Sequence, residues 1–378
     1  LPQALSKRIE LVTPMTSYAR AREAVFLDAH RVPPYSAGTV HLPPLLLPLF
    51  RAVPDALTPL LYLLVHAAAA RCVVLIARAK TVWFAQLDAD APAQRPRAAL
   101  IQPEWYGLAY FANPLGAAVL LSRSTAVFTA LAVLASLQAA FRVRVVGSLG
   151  WLALAAHLGM YPAGLCGAVI LINLMAASTP TMRLAPAVLS RLALFAAWLG
   201  LQGALAHAIA RGDPRWITNT FGAYWSLPEL RPNLGLFWYF FIEVFDQFRT
   251  FFLLVFGLLG IVFIPGTTLA FQRQPFFAAT LILMIAAVFQ SMPSLADTHL
   301  YLALLFMHPE VLQYSSHIFL SFAAMGASLL LGPLFYDLWV HSAAGNANFF
   351  YAITLVWSLA QVILITDVTY AMLRREWD

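Results

Sequence analysis

Apolar segments recur along almost the whole chain and leave little room for a water-soluble fold. They lack the alternation typical of barrel strands, and backbone groups in hydrocarbon need internal partners, so each is predicted to be a helix. The sequence therefore predicts an all-α polytopic membrane protein with about 11–12 transmembrane helices. The segments lie near residues 59–77, 105–121, 124–140, 145–159, 161–178, 187–210, 250–270, 276–291, 296–310, 316–339 and 348–372.

Composition supports a membrane setting. Hydrophobic residues make up 61% of the chain and charged residues only 11%, whereas about a quarter of the residues in a soluble domain are charged. Several apolar segments are shorter than the ~20 residues that a straight crossing requires. We expect these to be tilted, re-entrant or sheltered by neighbouring helices.

The first part of the chain has a different character. Residues 1–43 are the one long stretch with the charge content of a soluble protein, and prolines become frequent from Pro33 onward. This composition predicts a small cap outside the membrane. Residues 44–378 are predicted to form the helical membrane domain.

Basic residues in the short loops indicate the orientation. One set of loops is rich in them, whereas the opposite set holds only Arg123, Arg211, Arg215 and Arg231. Because the cytosolic side carries the excess of lysine and arginine, the C-terminus is predicted to be cytosolic and the cap lumenal. The rich set is Arg78, Lys80, Arg95, Arg97, Arg142, Arg144, Arg183, Arg191, Arg273, Arg374 and Arg375.

An aromatic stretch near residue 240 points to lipid. At 100° per residue, five phenylalanines fall on one face of a helix and polar groups fall roughly opposite. This pattern predicts a lumen-side amphipathic helix at about 234–249 that contacts acyl chains. The phenylalanines are Phe237, Phe241, Phe245, Phe248 and Phe252, and the polar residues are Tyr239, Glu243, Asp246 and Thr250.

Candidate chemical groups are few. No cysteine or serine pairs with a histidine in a nucleophile pattern, and no cluster of metal ligands or phosphate-binding glycine loop occurs, so no catalytic residue, metal or cofactor is predicted. Glu243 and Asp246 are the one carboxylate pair on a shared helix face. They could form a solvated face, contact a partner or lipid headgroup, or act as acid and base.

A polar turn opens the last apolar segment. Asn348 could cap that helix, or Asn346 and Asn348 beside Phe349 and Tyr351 could bind a phosphate or sugar hydroxyl at the positive helix end. Asp297 is a further candidate, because an ionisable group is costly in an apolar segment.

Three arginines on the predicted cytosolic side could hold anionic phospholipid heads or could simply set topology. They are Arg183, Arg191 and Arg273.

Several stretches resemble the PIG-U family, multispan subunits of glycosylphosphatidylinositol (GPI) transamidase. They are Pro33 to Ser36, Phe111 to Pro114, Pro232 to Phe241, Asn346 to Leu355, and Leu373 to Glu376. The family normally begins with one more apolar helix, which would bring the total to about twelve and start the chain in the cytosol.

The resemblance implies a non-catalytic subunit in the endoplasmic reticulum membrane that helps to attach GPI anchors to proteins. It implies partners in a PIG-K-like catalytic subunit, PIG-T, PIG-S and the GPI-anchor attachment subunit, together with the GPI lipid, the proprotein's C-terminal signal and membrane phospholipids. No nucleic acid is expected. Phe241, Phe245 and Phe248 would line a groove for acyl chains, and Asn346 and Asn348 would meet the phosphoinositol region.

The PIG-U family is itself similar to lipid-linked mannosyltransferases, which implies a glycosyltransferase-C-like scaffold. Those enzymes carry an acidic pair in the first lumenal loop, whereas Ser17 to Glu23 here holds arginines and a single acid. Two alternatives remain open: an active lipid-linked-sugar glycosyltransferase that uses Glu10, Glu23 or Asp28, and a lipid transporter or scramblase.

Overall fold

The fold was analysed in a computed structural model that describes residues 2–88, 101–177, 184–227 and 229–377, with the backbone alone for 84–88. The described residues form helices and no strand, which confirms the all-helical prediction. The helices are α1 (Tyr18–Ala29), α2 (Leu47–Ala52), α3 (Thr58–Asp88), α4 (Pro103–Ala112), α5 (Pro114–Leu121), α6 (Ala126–Phe141), α7 (Val145–Gly159), α8 (Cys166–Ala177), α9 (Leu184–Ile209), α10 (Trp238–Glu243), α11 (Asp246–Ala270), α12 (Pro275–Phe289), α13 (Leu295–Leu305), α14 (Ile318–Val340) and α15 (Ala347–Trp377).

Helical turns of three to five residues join several of these helices. They lie at Pro2–Leu5, Pro44–Leu46, Tyr161–Leu165, Arg215–Ile217, Thr218–Gly222, Ala223–Ser226 and Pro309–Leu312.

Within the described residues, five helices are long and apolar enough to cross a membrane: α3, α9, α11, α14 and α15. Together with the shorter apolar helices they make the chain a multi-pass membrane protein. The shorter helices α6 and α12 are almost entirely buried, so the prediction that neighbours shelter short segments is confirmed for these two. The long helices are less buried, from 44% of the most apolar part of α3 to only 6% of that of α11.

One predicted span is two helices in the structure. The segment near 105–121 breaks between α4 and α5, because a residue before proline is pushed out of the helical region. Asn113 has extended backbone (φ −62°, ψ 128°), and its Oδ1 accepts a hydrogen bond of 2.9 Å from the Leu115 amide. The Asn113 side chain thereby caps α5.

The cap is tied to distant parts of the chain by ion pairs. Asp28 on α1 pairs with Arg211 at 2.7 Å and with Arg51 at 3.4 Å. Arg20 on α1 pairs with Glu229 at 2.6 Å, and Arg231 pairs with the same carboxylate at 2.9 Å. The Arg20–Glu229 pair holds α1 against the segment that leads into α10, and the Asp28–Arg211 pair holds it against the residues that follow α9.

We expect acid to loosen this contact. Burial opposes ionisation of Glu229, but the hydrogen bond and charge of Arg20 and the charge of Arg231 lower its pKa overall. A carboxylate with a lowered pKa contributes stability above its unfolded pKa of about 4.3, and this stability is lost as the pH falls through the folded value. The hydrogen-exchange protection factors of α1 in detergent, which compare exchange with its intrinsic rate at the same pH, should therefore fall below about pH 4.3, and Glu229→Gln should lower them already at pH 7.

Candidate lipid-binding site

The aromatic stretch is divided between two helices. The continuous amphipathic helix predicted at about 234–249 is wrong: α10 ends at Glu243, Val244 and Phe245 are extended (ψ 139° and 141°), and α11 begins at Asp246. A carboxylate in the first turn favours a helix start at this point, because it faces the positive end of the helix dipole. Glu243 and Asp246 therefore lie on different helices, and both are exposed.

The break sends the phenylalanines in different directions. Phe241 is 3% exposed, whereas Phe245 is 72% and Phe248 50% exposed. The predicted single stripe is thus part interior wall and part outer surface. Phe248 stands on α11 and Phe245 directly precedes it, and the apolar face of α11 meets few other residues of this chain.

A phenylalanine cluster joins α10 to α11. Phe256 on α11 stacks on Phe237 with ring centroids 4.6 Å apart and interplanar angle 9°, and it makes edge contacts with Phe240 at 5.1 Å and Phe241 at 5.7 Å. Phe252 meets Phe240 at 4.9 Å. Edge and offset contacts of this kind are favourable for aromatic rings.

Behind this cluster lies a largely apolar cavity of about 130 Å³. It is bounded by α11, α12, the turns at Tyr161–Leu165 and Ala223–Ser226, and the start of α10. Residues that sequence reasoning missed form most of its wall. They include Tyr161, Tyr224, Trp225, Gly260, Gln290 and Ser291.

Two small residues on α11 make space for the cavity. A Cβ at Gly257 would lie 2.5 Å from the Trp225 ring, so this glycine allows the indole to approach the helix. A Cβ at Gly260 would meet only the Phe289 Cβ, at 3.5 Å. The spacing Gly257-x-x-Gly260 in an otherwise bulky apolar helix was the sequence signal that could have indicated a close approach.

Polar groups mark one end of the cavity. Gln290 and Ser291 follow α12; the Gln290 side-chain amide interacts with the Asp297 carboxylate, and the Ser291 Oγ atom is buried without a hydrogen-bond partner among the described residues. Buried polar atoms are normally paired. This end is thus suited to a ligand that carries hydrogen-bonding groups beside an apolar portion.

The turn that carries Asn346 and Asn348, here named the amide turn, lies against α10. Tyr239 donates a hydrogen bond to Asn348 Oδ1 and stacks on Tyr351 at 4.7 Å, and the Tyr351 hydroxyl donates to the Leu236 carbonyl at 3.2 Å. The structure therefore brings together two regions that are more than 100 residues apart in the chain. Aromatic contacts from Trp238 to Phe350 and Trp339 strengthen this junction.

The capping residue of α15 is Asn346, not Asn348 as considered from sequence. Asn346 Oδ1 accepts a hydrogen bond of 3.1 Å from the Asn348 amide, one residue after the helix begins at Ala347. Both asparagines are exposed, and so is Phe349, whose ring stacks on Phe335 at 5.9 Å. Capping therefore leaves the Asn346 amide nitrogen open to solvent or to a ligand.

Asp297 caps the start of a helix. It forms a capping box at the start of α13 with Ser294, whose amide and hydroxyl donate to its carboxylate at 2.8 and 3.0 Å. Asp297 does not line the cavity, but it interacts with the hydroxyl of Tyr161, which does.

The structure describes two of the three arginine candidates. Arg191 on α9 donates to the carbonyl of Ala187, one turn earlier, at 2.9 Å. Arg273 is exposed in the turn between α11 and α12, and Arg183 lies outside the described residues.

The three candidate carboxylates of the cap have different partners and surroundings. The Glu10 side chain is buried and burial raises its pKa, Glu23 accepts a hydrogen bond from Thr39 at 3.2 Å, and Asp28 is ion-paired to arginines. In the described ranges, no group of three or more His, Cys, Asp or Glu residues could hold a metal ion.

Comparison with known proteins decides the family. The model of the family described as GPI transamidase subunit PIG-U matches residues 1–357. The chain belongs to the PIG-U family. It is 32% identical to GPI transamidase component GAB1 of Saccharomyces cerevisiae over 386 residues, covering 100% of this chain and 90% of the relative.

Other PIG-U family members match over the same extent. GPI-anchor transamidase component PIGU of Homo sapiens is 28% identical over 397 residues, and the GAB1 homolog of Schizosaccharomyces pombe is 26% identical over 390 residues. In each comparison the match covers all of this chain and 90% of the relative. The family predicted from the quoted stretches is confirmed.

Proposed function

We propose that this chain is the PIG-U-type subunit of a GPI transamidase in the endoplasmic reticulum membrane, where it binds the GPI lipid without itself catalysing transfer. The observation that carries the proposal is the position of α10. One side of this helix borders the apolar cavity, and its other side contacts the amide turn. Apolar pockets with a few placed polar groups are typical of small-molecule sites.

The ligand would divide between these two regions. An acyl chain would enter between α11 and α12, against Phe241 and Phe256. The inositol hydroxyls would reach the exposed amides of Asn346 and Asn348, with Phe349 beside them. Exposed Phe245 and Phe248 would contact surrounding acyl chains or the proprotein's C-terminal signal, and Glu243 would face the polar headgroup region.

The outer helices would meet the other subunits. Lipid tails are as apolar as leucine, so helices associate in a membrane through close packing and not through the hydrophobic effect. The exposed faces of α9, α11 and α14 are suited to a PIG-K-like catalytic subunit, PIG-T, PIG-S and the attachment subunit. Arg191, Arg273 and Arg183 would contact anionic phospholipids on the cytosolic side, where the C-terminus would also lie.

The amide turn can be tested by a double substitution. We expect Asn346→Ala with Asn348→Ala to lower GPI attachment about threefold or more, while the transamidase subunits still co-purify, because an amide lost from a ligand contact costs about 1 kcal/mol. The measurement is the surface level of a GPI-anchored reporter in cells that lack the endogenous subunit.

Two variants separate ligand contact from helix capping. Asn346→Ser keeps a side chain that caps helices well. If Asn346 serves only as a helix cap, a chain with Asn346→Ser and an unchanged Asn348 should support normal attachment. Gln272→Ala removes another exposed amide, in the turn after α11, and should leave attachment unchanged. Normal anchoring by the double alanine variant would contradict the site.

A further inference from the structure

A second cavity lies beside the first and has the opposite chemistry. Its volume is about 320 Å³, within the range typical of small-molecule pockets. It is formed by the start of the chain, the beginning of α1 and the segment before α10, and Lys7, Arg20 and Arg231 line it. No aspartate or glutamate is among its described lining residues.

The positive charge of this basic pocket is only partly neutralised. Glu229 binds Arg20 and Arg231 together, with side-chain distances of 2.6 and 2.9 Å. Arg20 is 14% exposed and Arg231 is 63% exposed at the side chain, so the first is fixed in the wall and the second can reach a ligand. The exposed Lys7 ammonium has no ion pair within the described part of the chain.

The two cavities share a wall. Asn233 lines the basic pocket, and its Nδ2 atom lies 3.5 Å from the carbonyl oxygen of Ser291, which lines the apolar cavity. Met292 lines the basic pocket and belongs to the same buried cluster as Phe241. A molecule with an anionic head and an apolar tail would therefore find both environments within adjoining space.

We propose that the basic pocket binds the phosphate group of an anionic membrane lipid, with Lys7 and Arg231 as the contacting cations and Arg20 as their fixed neighbour. The Ser17 hydroxyl in the same wall accepts a hydrogen bond from the Arg20 amide and keeps its own proton for a phosphate oxygen. The proposal deepens the proposed function, because it places the phosphate of the bound lipid on the cap side of the shared wall.

The test is native mass spectrometry of the full chain, purified in mild detergent and mixed with phosphatidylinositol or phosphatidylcholine. The wild-type chain should retain phosphatidylinositol in preference to phosphatidylcholine. The double variant Lys7→Gln with Arg231→Gln should lower phosphatidylinositol retention about tenfold or more, because both lost cations contribute to the free energy of binding an anionic headgroup. Inorganic phosphate in millimolar excess is the competitor: displacement would show that the pocket recognises phosphate itself, and no displacement would show that it recognises the acylated lipid.

Matched variants keep the result interpretable. Arg31→Gln removes an exposed cap arginine that lines neither cavity and should retain phosphatidylinositol normally. Lys7→Arg preserves the positive charge and should also retain phosphatidylinositol normally. An unchanged thermal unfolding midpoint of the Lys7→Gln, Arg231→Gln chain would show that this double variant is folded. Equal retention by the wild-type and double-variant chains, or equal retention of the two lipids by wild type, would overturn the proposal.

The same variants separate this proposal from the proposed function. Loss of phosphatidylinositol retention together with reduced GPI attachment supports both. Loss of retention with normal attachment supports the basic pocket as a phosphate site and overturns its role for the GPI lipid. Reduced attachment with normal retention overturns the basic pocket alone.

Discussion

Filling the apolar cavity from α11 should severely reduce GPI attachment. Gly260→Leu places a branched side chain into the cavity at a position where a Cβ meets only the Phe289 Cβ, at 3.5 Å. An acyl chain that moves from bilayer to cavity gains close packing and little hydrophobic free energy. Loss of about ten atom contacts at roughly 0.1–0.2 kcal/mol each therefore weakens binding by about tenfold.

The same helix offers a matched control for this substitution. A Cβ at Gly266 would meet nothing within 4 Å, and Gly266 does not line the cavity. Gly266→Leu should insert, assemble and support attachment of a GPI-anchored reporter as the wild-type chain does. Normal attachment by Gly260→Leu, in a chain shown to be assembled with its partners, would exclude the cavity as the lipid site.

Removal of Trp238 should separate the two halves of the candidate site. Its side chain is 2% exposed and contacts Trp339, Phe350 and Tyr351 with ring centroids 5.7–6.2 Å apart. A buried tryptophan replaced by alanine costs about 3–5 kcal/mol. We expect Trp238→Ala to lower the thermal unfolding midpoint of the purified chain and to reduce GPI attachment strongly.

Two variants calibrate this result. Trp238→Phe keeps an aromatic ring at the junction and should retain most of the stability and attachment. Trp377→Ala removes a tryptophan that is 91% exposed and should change neither. A Trp238→Ala chain with the wild-type unfolding midpoint and normal attachment would show that α10 does not depend on this packing.

The positions of the apolar helices were predictable because hydrocarbon imposes a strict local rule. Every spanning segment must satisfy its backbone internally, so length and composition locate helices without knowledge of their neighbours. The error at residues 105–121 arose where a local signal was overlooked, since Asn113-Pro114 interrupts the helix. The helix break at Val244 and Phe245 was harder to predict, because the phenylalanine periodicity continues through it.

The candidate site was predictable only in part. Phe241 was identified from its place in an aromatic stretch and does line the cavity, but Phe245 and Phe248 do not. Gln290 and Ser291 were missed because each is an ordinary residue at the end of an apolar run, and Tyr224 was missed because it lies between two predicted segments. Their importance arises from packing against α11, which a sequence pattern within one segment does not contain.

The sequence by itself determined the membrane class of the protein, the approximate helix positions and, through the quoted stretches, the PIG-U family. These are properties of local composition and of residue order. Tertiary structure alone decided that α10 turns Phe241 inward, that the amide turn meets Tyr239, and that Lys7 and Arg231 face one pocket. Each of these depends on contacts between segments distant in the chain, and the energy of such a contact is set by three-dimensional proximity.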